Sequence, residues 1–312
     1  MCDFSCYGGP SEEWLAVQAE LPRPADLELL EKKTITNQGR EAIAAEGMKE
    51  FAALVSIRDF FIPTRDGSTI EARTYRPADL PNTRQLPVYI HLHGGGFLFG
   101  TLASEDAICS RIAVNTHVVV LNVNYRHTPE FTYPTAWHDV QDSFMWAHAH
   151  MHNLGGDGTK VVVGGISAGA QMTASLVLEK HLGNIAQDCP PIAGQILMIP
   201  CLVNMDCYEP QLAKMKDPSI SSVVENEFAP ILPMKTARFF TDLLQIQDPR
   251  PSDTKLNPGN ASPGQVRGLP PTVFGIAGLD PLRDEGLLYA KMLTENKYLS
   301  AILETSTRAW HG

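Results

Sequence analysis

The first residues with chemistry in them are Gly165-Ile166-Ser167-Ala168-Gly169. When a strand precedes a G-x-S-x-G run and a helix follows it, the serine sits on a sharp turn. Its hydroxyl then stands above the sheet edge, at the positive end of the helix dipole. The preceding run 160–165 (Lys-Val-Val-Val-Gly-Gly) reads as a strand and 168–182 as a helix. Such a serine needs a base to take its proton and hydrogen-bond donors to hold the oxyanion that forms when it attacks a carbonyl. The plainer reading of the same five residues is a glycine-rich turn, or a phosphate-binding turn.

The donors are expected from His93-Gly94-Gly95-Gly96, which follows the strand candidate 86–92. Glycines let the main chain approach a substrate carbonyl and aim N–H groups at it. Gly95 and Gly96, with the N–H of Ala168, are the predicted oxyanion hole. Losing one such donor costs roughly 2.7–4 kcal/mol of transition-state stabilisation. His93 and Gly94 are read as support for this loop, with His93 as a prop and not a base. The orienting acid is expected at Asp280, just after the strand candidate 271–277. Asp280 before Pro281 also fits a helix N-cap with proline at N1. Asp284, one turn into that helix, competes for the acid role. Of the ten histidines, only His311 follows Asp280, as the chain order serine, acid, histidine requires. His311 is therefore the expected base. His148 and His152 have the i, i+4 spacing of metal ligands, but no cysteine or carboxylate cluster accompanies them. Neither a metal nor an organic cofactor is expected.

These side chains need a scaffold. Strand candidates are 56–62 and 69–75, a hairpin around Arg65-Asp66-Gly67, then 86–92, 117–124, 160–165, 193–199, 271–277 and 299–304. The stretches 103–115, 134–151, 168–182 and 282–296 read as helices. Apolar strands alternating with helices predict an α/β fold, a mostly parallel, doubly wound sheet covered on both faces. Residues 1–55 read as an N-terminal helical cap segment. It has helices at 26–32 and 40–55, the second with Ile43, Gly47, Phe51 and Leu54 on one face. Residues 56–312 form the catalytic domain. Within it, 200–265, rich in Pro, Asp and Asn and with one helix near 234–245, interrupt the alternation as a cap insertion.

Composition narrows the partners. The chain has 312 residues, 44% of them apolar and 19% charged, which suits one large domain with a core. A net charge of −10 disfavours nucleic acid and anionic lipid. The N-terminus lacks the basic start and apolar run of a secretory signal, and no apolar stretch is long enough to span a bilayer. The six cysteines form no CxxC pair and fit reduced thiols in a cytoplasmic protein. The sequence leaves a homodimer open.

Taken together, the motifs resemble the hormone-sensitive-lipase-like branch of the α/β-hydrolase superfamily over roughly residues 55–312. The matching runs are His93-Gly94-Gly95-Gly96, Tyr125-Arg126-His127-Thr128-Pro129-Glu130, Gly165-Ile166-Ser167-Ala168-Gly169, Asp280-Pro281-Leu282-Arg283-Asp284-Glu285-Gly286 and His311-Gly312. The resemblance implies an α/β-hydrolase fold with a helical cap, and a serine carboxylesterase acting on small to medium acyl esters through an acyl-enzyme. It implies Ser167, Asp280 and His311 as the catalytic triad. Two departures stand out. Ile166 and Ala170 replace the family's acidic residue before the serine and its second glycine after Ser-Ala. The sequence also stops one residue past His311, where relatives continue through a further helix, so a truncated C-terminus is expected. Two alternatives use the same fold. One is cleavage of a lactone, amide or thioester, or dehydration or acyl transfer, on the same triad. The other is a non-catalytic small-molecule receptor.

Overall fold

The computed structural model describes residues 1–18, 20 and 28–296, and the backbone of Ala301–Ser306. Eight strands form one sheet in the order β1-β2-β4-β3-β5-β6-β7-β8. They are β1 (Val55–Pro63), β2 (Thr69–Pro77), β3 (Leu86–Leu92), β4 (Val119–Val123), β5 (Gly156–Ile166), β6 (Gly194–Met198), β7 (Thr272–Ala277) and β8 (Ala301–Ser306). The expected hairpin is β1–β2, turning at Gly67 with φ 81°, a value that glycine adopts without strain. β2 also runs antiparallel to β4, and every pair from β4 through β8 is parallel.

Eleven α-helices accompany the sheet among the described residues: α1 (Glu12–Gln18), α2 (Leu29–Phe51), α3 (Asp106–Thr116), α4 (Thr135–Ala149), α5 (Met151–Leu154), α6 (Ala168–His181), α7 (Glu209–Leu212), α8 (Ser222–Glu225), α9 (Met234–Leu243), α10 (Pro263–Val266) and α11 (Arg283–Glu295). The strand pleat sorts the core into two faces. Val88, Ile90 and Leu92 of β3 pack with Val119 and Leu121 of β4, Trp137, Val140 and Phe144 of α4, and Met172 and Leu176 of α6. Tyr75, Tyr89 and Val120 point the other way, onto Cys109 and Ala113 of α3. Each aliphatic or Phe side chain buried in this way contributes about 1.5–3 kcal/mol.

Two expectations about the N-terminal segment are corrected. The structure has one continuous helix, α2, over Leu29–Phe51 in place of two over 26–32 and 40–55; residues 26 and 27 lie outside the described ones. Polar tertiary bonds hold the middle of α2, which the β-branched Thr34, Ile35 and Thr36 and Gly39 would otherwise weaken. Lys33 reaches Glu130 and the Thr128 carbonyl, Asn37 accepts the Gly100 N–H, and Glu41 accepts the Thr101 hydroxyl. The buried face also differs. It runs through Ala44 and Phe51, with Gly47 close to Ala107, whereas Ile43 is exposed and Leu54 lies beyond the helix.

The insertion holds α9 where a helix was expected, together with several short turns of helix. It is tied to the sheet domain by buried polar bonds. Ser222 donates to Asp284 (2.7 Å) and to the Pro281 carbonyl (2.7 Å), and Gln171 donates to the Leu256 carbonyl (2.7 Å). The N-terminus meets it too, with Cys2 pairing strand-like with Met215. Trp137 is a further anchor. It is 2% exposed, stacks on Phe97 at 5.0 Å and donates its indole N–H to the Lys255 carbonyl. Trp137→Ala should lower unfolding free energy by about 3–5 kcal/mol in urea titration. A loss below about 1 kcal/mol, the size of an ordinary point-mutant effect, would show that this packing carries little of the core.

Candidate active site

Ser167 occupies the turn between β5 and α6 with φ 54° and ψ −115°, a conformation few non-glycine residues adopt. The Met198 carbonyl at the end of β6 accepts its N–H at 2.8 Å and holds the turn. The neighbouring glycines are required by contact. A Cβ on Gly165 would come 2.3 Å from the Gly169 carbonyl carbon, and one on Gly169 would come 2.1 Å from the Leu92 oxygen. Gly94 likewise lies on the Ile166 main chain, where a Cβ would meet the Ile166 oxygen at 2.9 Å. The glycine loop and the serine turn thus touch backbone to backbone.

In the loop, Gly95 has φ 134° and Gly96 φ 61°. The N–H groups of Gly95, Gly96 and Ala168 donate to no acceptor among the described residues. For Ala168 this follows from its place in the first turn of α6. The Gly94 carbonyl is well held. It accepts from His93 Nδ1 at 3.0 Å and from Arg40 Nη1 at 3.1 Å. Because that carbonyl only accepts, Nδ1 carries the His93 proton, which leaves Nε2 to face His127 Nε2 at 3.3 Å. Burial pushes the His93 pKa down to about 4, so the ring is neutral at pH 7. The Tyr125 hydroxyl donates to the His93 carbonyl at 2.8 Å, and the two rings stack at 4.3 Å.

A cavity of about 270 Å³ opens over these groups. Ser167, Ala168, Gly96 and Phe97 line its floor side, and Val203, Leu212, Met234, Phe240 and Leu244 supply much of the rest. The Phe240 ring of α9 presses on Gly96, where a Cβ would meet it at 2.4 Å. A family model described as alpha/beta hydrolase fold matches residues 89–312. The chain belongs to the α/β-hydrolase fold family, in its hormone-sensitive-lipase-like branch.

Among the relatives of this α/β hydrolase, carboxylesterase NlhH of Mycobacterium tuberculosis is 34% identical over 73% of the chain and 67% of its own length. Esterase LipI of the same organism is 32% identical over 72% of the chain and 65% of its own length. The chain therefore matches about two thirds of the length of these relatives. Among solved structures, vibralactone cyclase superposes with a TM-score of 0.83 at 25% identity, covering 97% of this chain and 87% of that one.

The hydrolase's two candidate acids have different surroundings. Asp284 is committed, accepting from the Ser222 N–H and from Arg283 Nε at 2.9 Å. Asp280 follows β7, and among the described residues its carboxylate accepts only the Leu282 N–H, at 2.9 Å. It is not the cap of α11, which begins at Arg283 with Leu282 as its N-cap. Asp280 is half-buried, and desolvation raises its pKa to about 6. His311 lies outside the described residues. His148 and His152 fall on separate helices, α4 and α5, either side of His150. Among the described residues no three His, Cys, Asp or Glu side chains converge as metal ligands.

Several residues at the site escaped the sequence reading. Arg40 comes from a helix with no motif. The apolar face of α9 was legible as a helix, but nothing marked Phe240 as the residue that meets the glycine loop. Glu285 is 1% exposed and accepts from the Leu202 N–H at 2.5 Å, while the hydroxyl of the cavity-lining Tyr208 donates to its other oxygen. Burial raises its pKa from 4.5 to about 8. The folded state therefore keeps this proton where the unfolded chain releases it. The Glu285 contribution to stability falls as pH climbs from about 4.5 to about 8 and levels off beyond, where both states are ionised. Glu285→Gln, which mimics the neutral acid, should flatten that slope in urea midpoints taken at pH 5 and pH 8. Equal slopes in the two proteins would show that Glu285 ionises normally.

Proposed function

We propose that this chain hydrolyses carboxylic esters of small to medium acyl groups, with Ser167 as nucleophile. One observation carries the reading. A serine with positive φ faces a mostly apolar cavity beside three uncommitted N–H groups. The esterase and carboxylesterase named among the relatives support the same chemistry.

In this reading Ser167 Oγ attacks the ester carbonyl while His311 takes its proton. Asp280 orients the imidazole and stabilises the imidazolium that forms. The carbonyl π electrons move to oxygen, and the N–H groups of Gly95, Gly96 and Ala168 hold the charge. His311 then gives its proton to the leaving alcohol as the C–O bond breaks, which leaves an acyl-Ser167. Water, deprotonated by His311, attacks that acyl carbon through a second oxyanion. The carboxylic acid leaves as Ser167 regains its proton. A cavity of about 270 Å³ lined by Phe97, Val203, Leu212, Phe240 and Leu244 suits short to medium acyl chains. His93, neutral and bonded to Gly94, props the loop.

The N-terminal segment 1–55 and the insertion 200–265 act as the cap. Three findings support this: residues of α9 line the cavity, Cys2 pairs with Met215, and Arg40 reaches Gly94. A cytoplasmic location is consistent with six free thiols. No helix among the described residues is long and apolar enough to cross a membrane.

Ser167→Ala should cut p-nitrophenyl butyrate hydrolysis by at least roughly 10³-fold and abolish mass-detected labelling by a fluorophosphonate. A panel of acetate to decanoate esters and a lactone would read the substrate range. Full activity in Ser167→Ala would remove the serine-hydrolase reading. A lactone turned over faster than every acyclic ester would move the substrate class.

A further inference from the structure

We propose that Arg40, on the N-terminal helix α2, is a positioning residue for the oxyanion hole, acting through the peptide bond between Gly94 and Gly95. This inference rests on the ester-hydrolase reading above. The Gly94 carbonyl and the Gly95 N–H belong to one trans amide, so they point in opposite directions. Whatever fixes the carbonyl fixes the N–H. Two donors meet that carbonyl, Arg40 Nη1 at 3.1 Å and His93 Nδ1 at 3.0 Å. They pull its oxygen toward α2 and the buried side of the loop, and so turn the Gly95 N–H away from both.

Within the loop the Leu98 and Phe99 N–H groups hold the Gly95 carbonyl, but among the described residues only Arg40 and His93 bond the Gly94 carbonyl. Gly95 has φ 134° and no Cβ, and a glycine peptide rotates at low cost. An oxyanion donor accelerates a reaction only if it is aimed before the charge develops. The two props differ in kind. His93 is neutral and contributes a dipole, while Arg40 brings a full positive charge. A charged donor on a carbonyl makes the stronger bond and polarises the amide, so its N–H becomes a better donor to an anion.

Arg40 is in turn held from behind. Its Nη2 donates to Glu105 Oε1 at 2.7 Å, and Glu105 is 3% exposed. Glu105 also accepts from Ser104 Oγ at 3.0 Å and pairs with His91 Nε2 at 3.0 Å. Burial alone would raise the Glu105 pKa, but its bond to His91 and the facing Arg40 guanidinium bring it down to about 2. The carboxylate is therefore ionised across the working range and clamps the guanidinium. The fork of Arg40 joins this buried anion to the loop peptide, a geometry a single ammonium cannot copy. Arg40 lies outside residues 89–312, so the device is supplied by a segment the family match does not include.

The test compares kcat and KM for p-nitrophenyl butyrate in wild type, Arg40→Met, Arg40→Lys and Lys33→Met. It adds the affinity of each for a trifluoromethyl ketone, which forms a tetrahedral adduct on an active serine. Lys33 anchors the same helix to Glu130 and Thr128 without touching the glycine loop, so it controls for simple undocking of α2. Arg40→Met should lower kcat by about ten-fold or more, with KM within about two-fold, and should weaken the ketone by the same factor as kcat. Arg40→Lys should fall between wild type and Arg40→Met, and Lys33→Met should match wild type. If Arg40→Met does not fold, Arg40→Lys carries the test, with a smaller fall in kcat at unchanged KM. Wild-type kcat in the Arg40 variants would overturn the proposal, as would a loss confined to KM or an equal loss in Lys33→Met. Such a result with Ser167→Ala inactive would leave the hydrolase reading standing. Full activity in Ser167→Ala would bring both down.

Discussion

The cavity depends on main chain lying directly against main chain at the carboxyl edge of the sheet. The loop after β3 and the turn after β5 approach so closely that Gly94 rests on the Ile166 carbonyl and Gly169 on the Leu92 carbonyl. Any side chain at Gly169 would force the two apart. That approach sets the loop after β3 directly beside the first turn of α6. It also explains why glycine stands on both sides of Ser167. A Cβ on Gly165 would strike the Gly169 main chain and one on Gly169 would strike Leu92, so the turn closes only where neither has a Cβ. The uncommon backbone of Ser167 is then held by its bond to Met198 and by the start of α6, which the surrounding core fixes in place.

Burial does different things to the carboxylates around this centre. Glu105 faces Arg40 and His91, and its charge survives burial. Asp284 is bonded to Arg283 and Ser222 and serves to join the insertion to α11. Glu285 faces a hydroxyl and an N–H but no cation at hydrogen-bond distance, so burial wins and the acid stays protonated. Asp280 stands between these cases. Among the described residues it has one N–H bond, and partial burial raises its pKa to about 6. A cationic or strongly donating partner would bring it down, as the positive imidazolium formed in the proposed mechanism would do.

The sequence carried the sheet because strand and helix signals there are local. Runs such as Val-Tyr-Ile-His-Leu in β3 and Val-Val-Val-Gly-Gly in β5 are apolar on both faces, and they fold as central parallel strands. The close approach of the glycine loop and the serine turn was legible because glycine spacing records it. What stayed hidden depends on distant contacts. α2 runs unbroken through a stretch of poor helix formers because Lys33, Asn37 and Glu41 are bonded to loops 60 to 97 residues away. Its buried face follows Ala44, Gly47 and Phe51 because α3 needs a close neighbour there, and hydrophobicity at Ile43 had no part in it. That Asp284 is committed likewise depends on Ser222, 62 residues away in the chain.

The N-terminal helix lies outside the part of the chain that the family match covers. The family match starts at residue 89, inside β3, and takes in the glycine loop, the serine turn and the acid. The bonds to Gly94, Gly100 and Thr101 come from α2, ahead of that boundary. A glycine loop is permissive by nature, and permissiveness is a defect in a group that must be aimed. The side chains that remove it can come from any segment that packs behind the loop, and here that segment is α2. Ile166 fits this arrangement. Its Cγ2 fills the space against Gly94, so the loop rests on an apolar contact from one side and a cation from the other. Arg40, on the helix behind the loop, then has two partners, the Glu105 carboxylate and the Gly94 carbonyl.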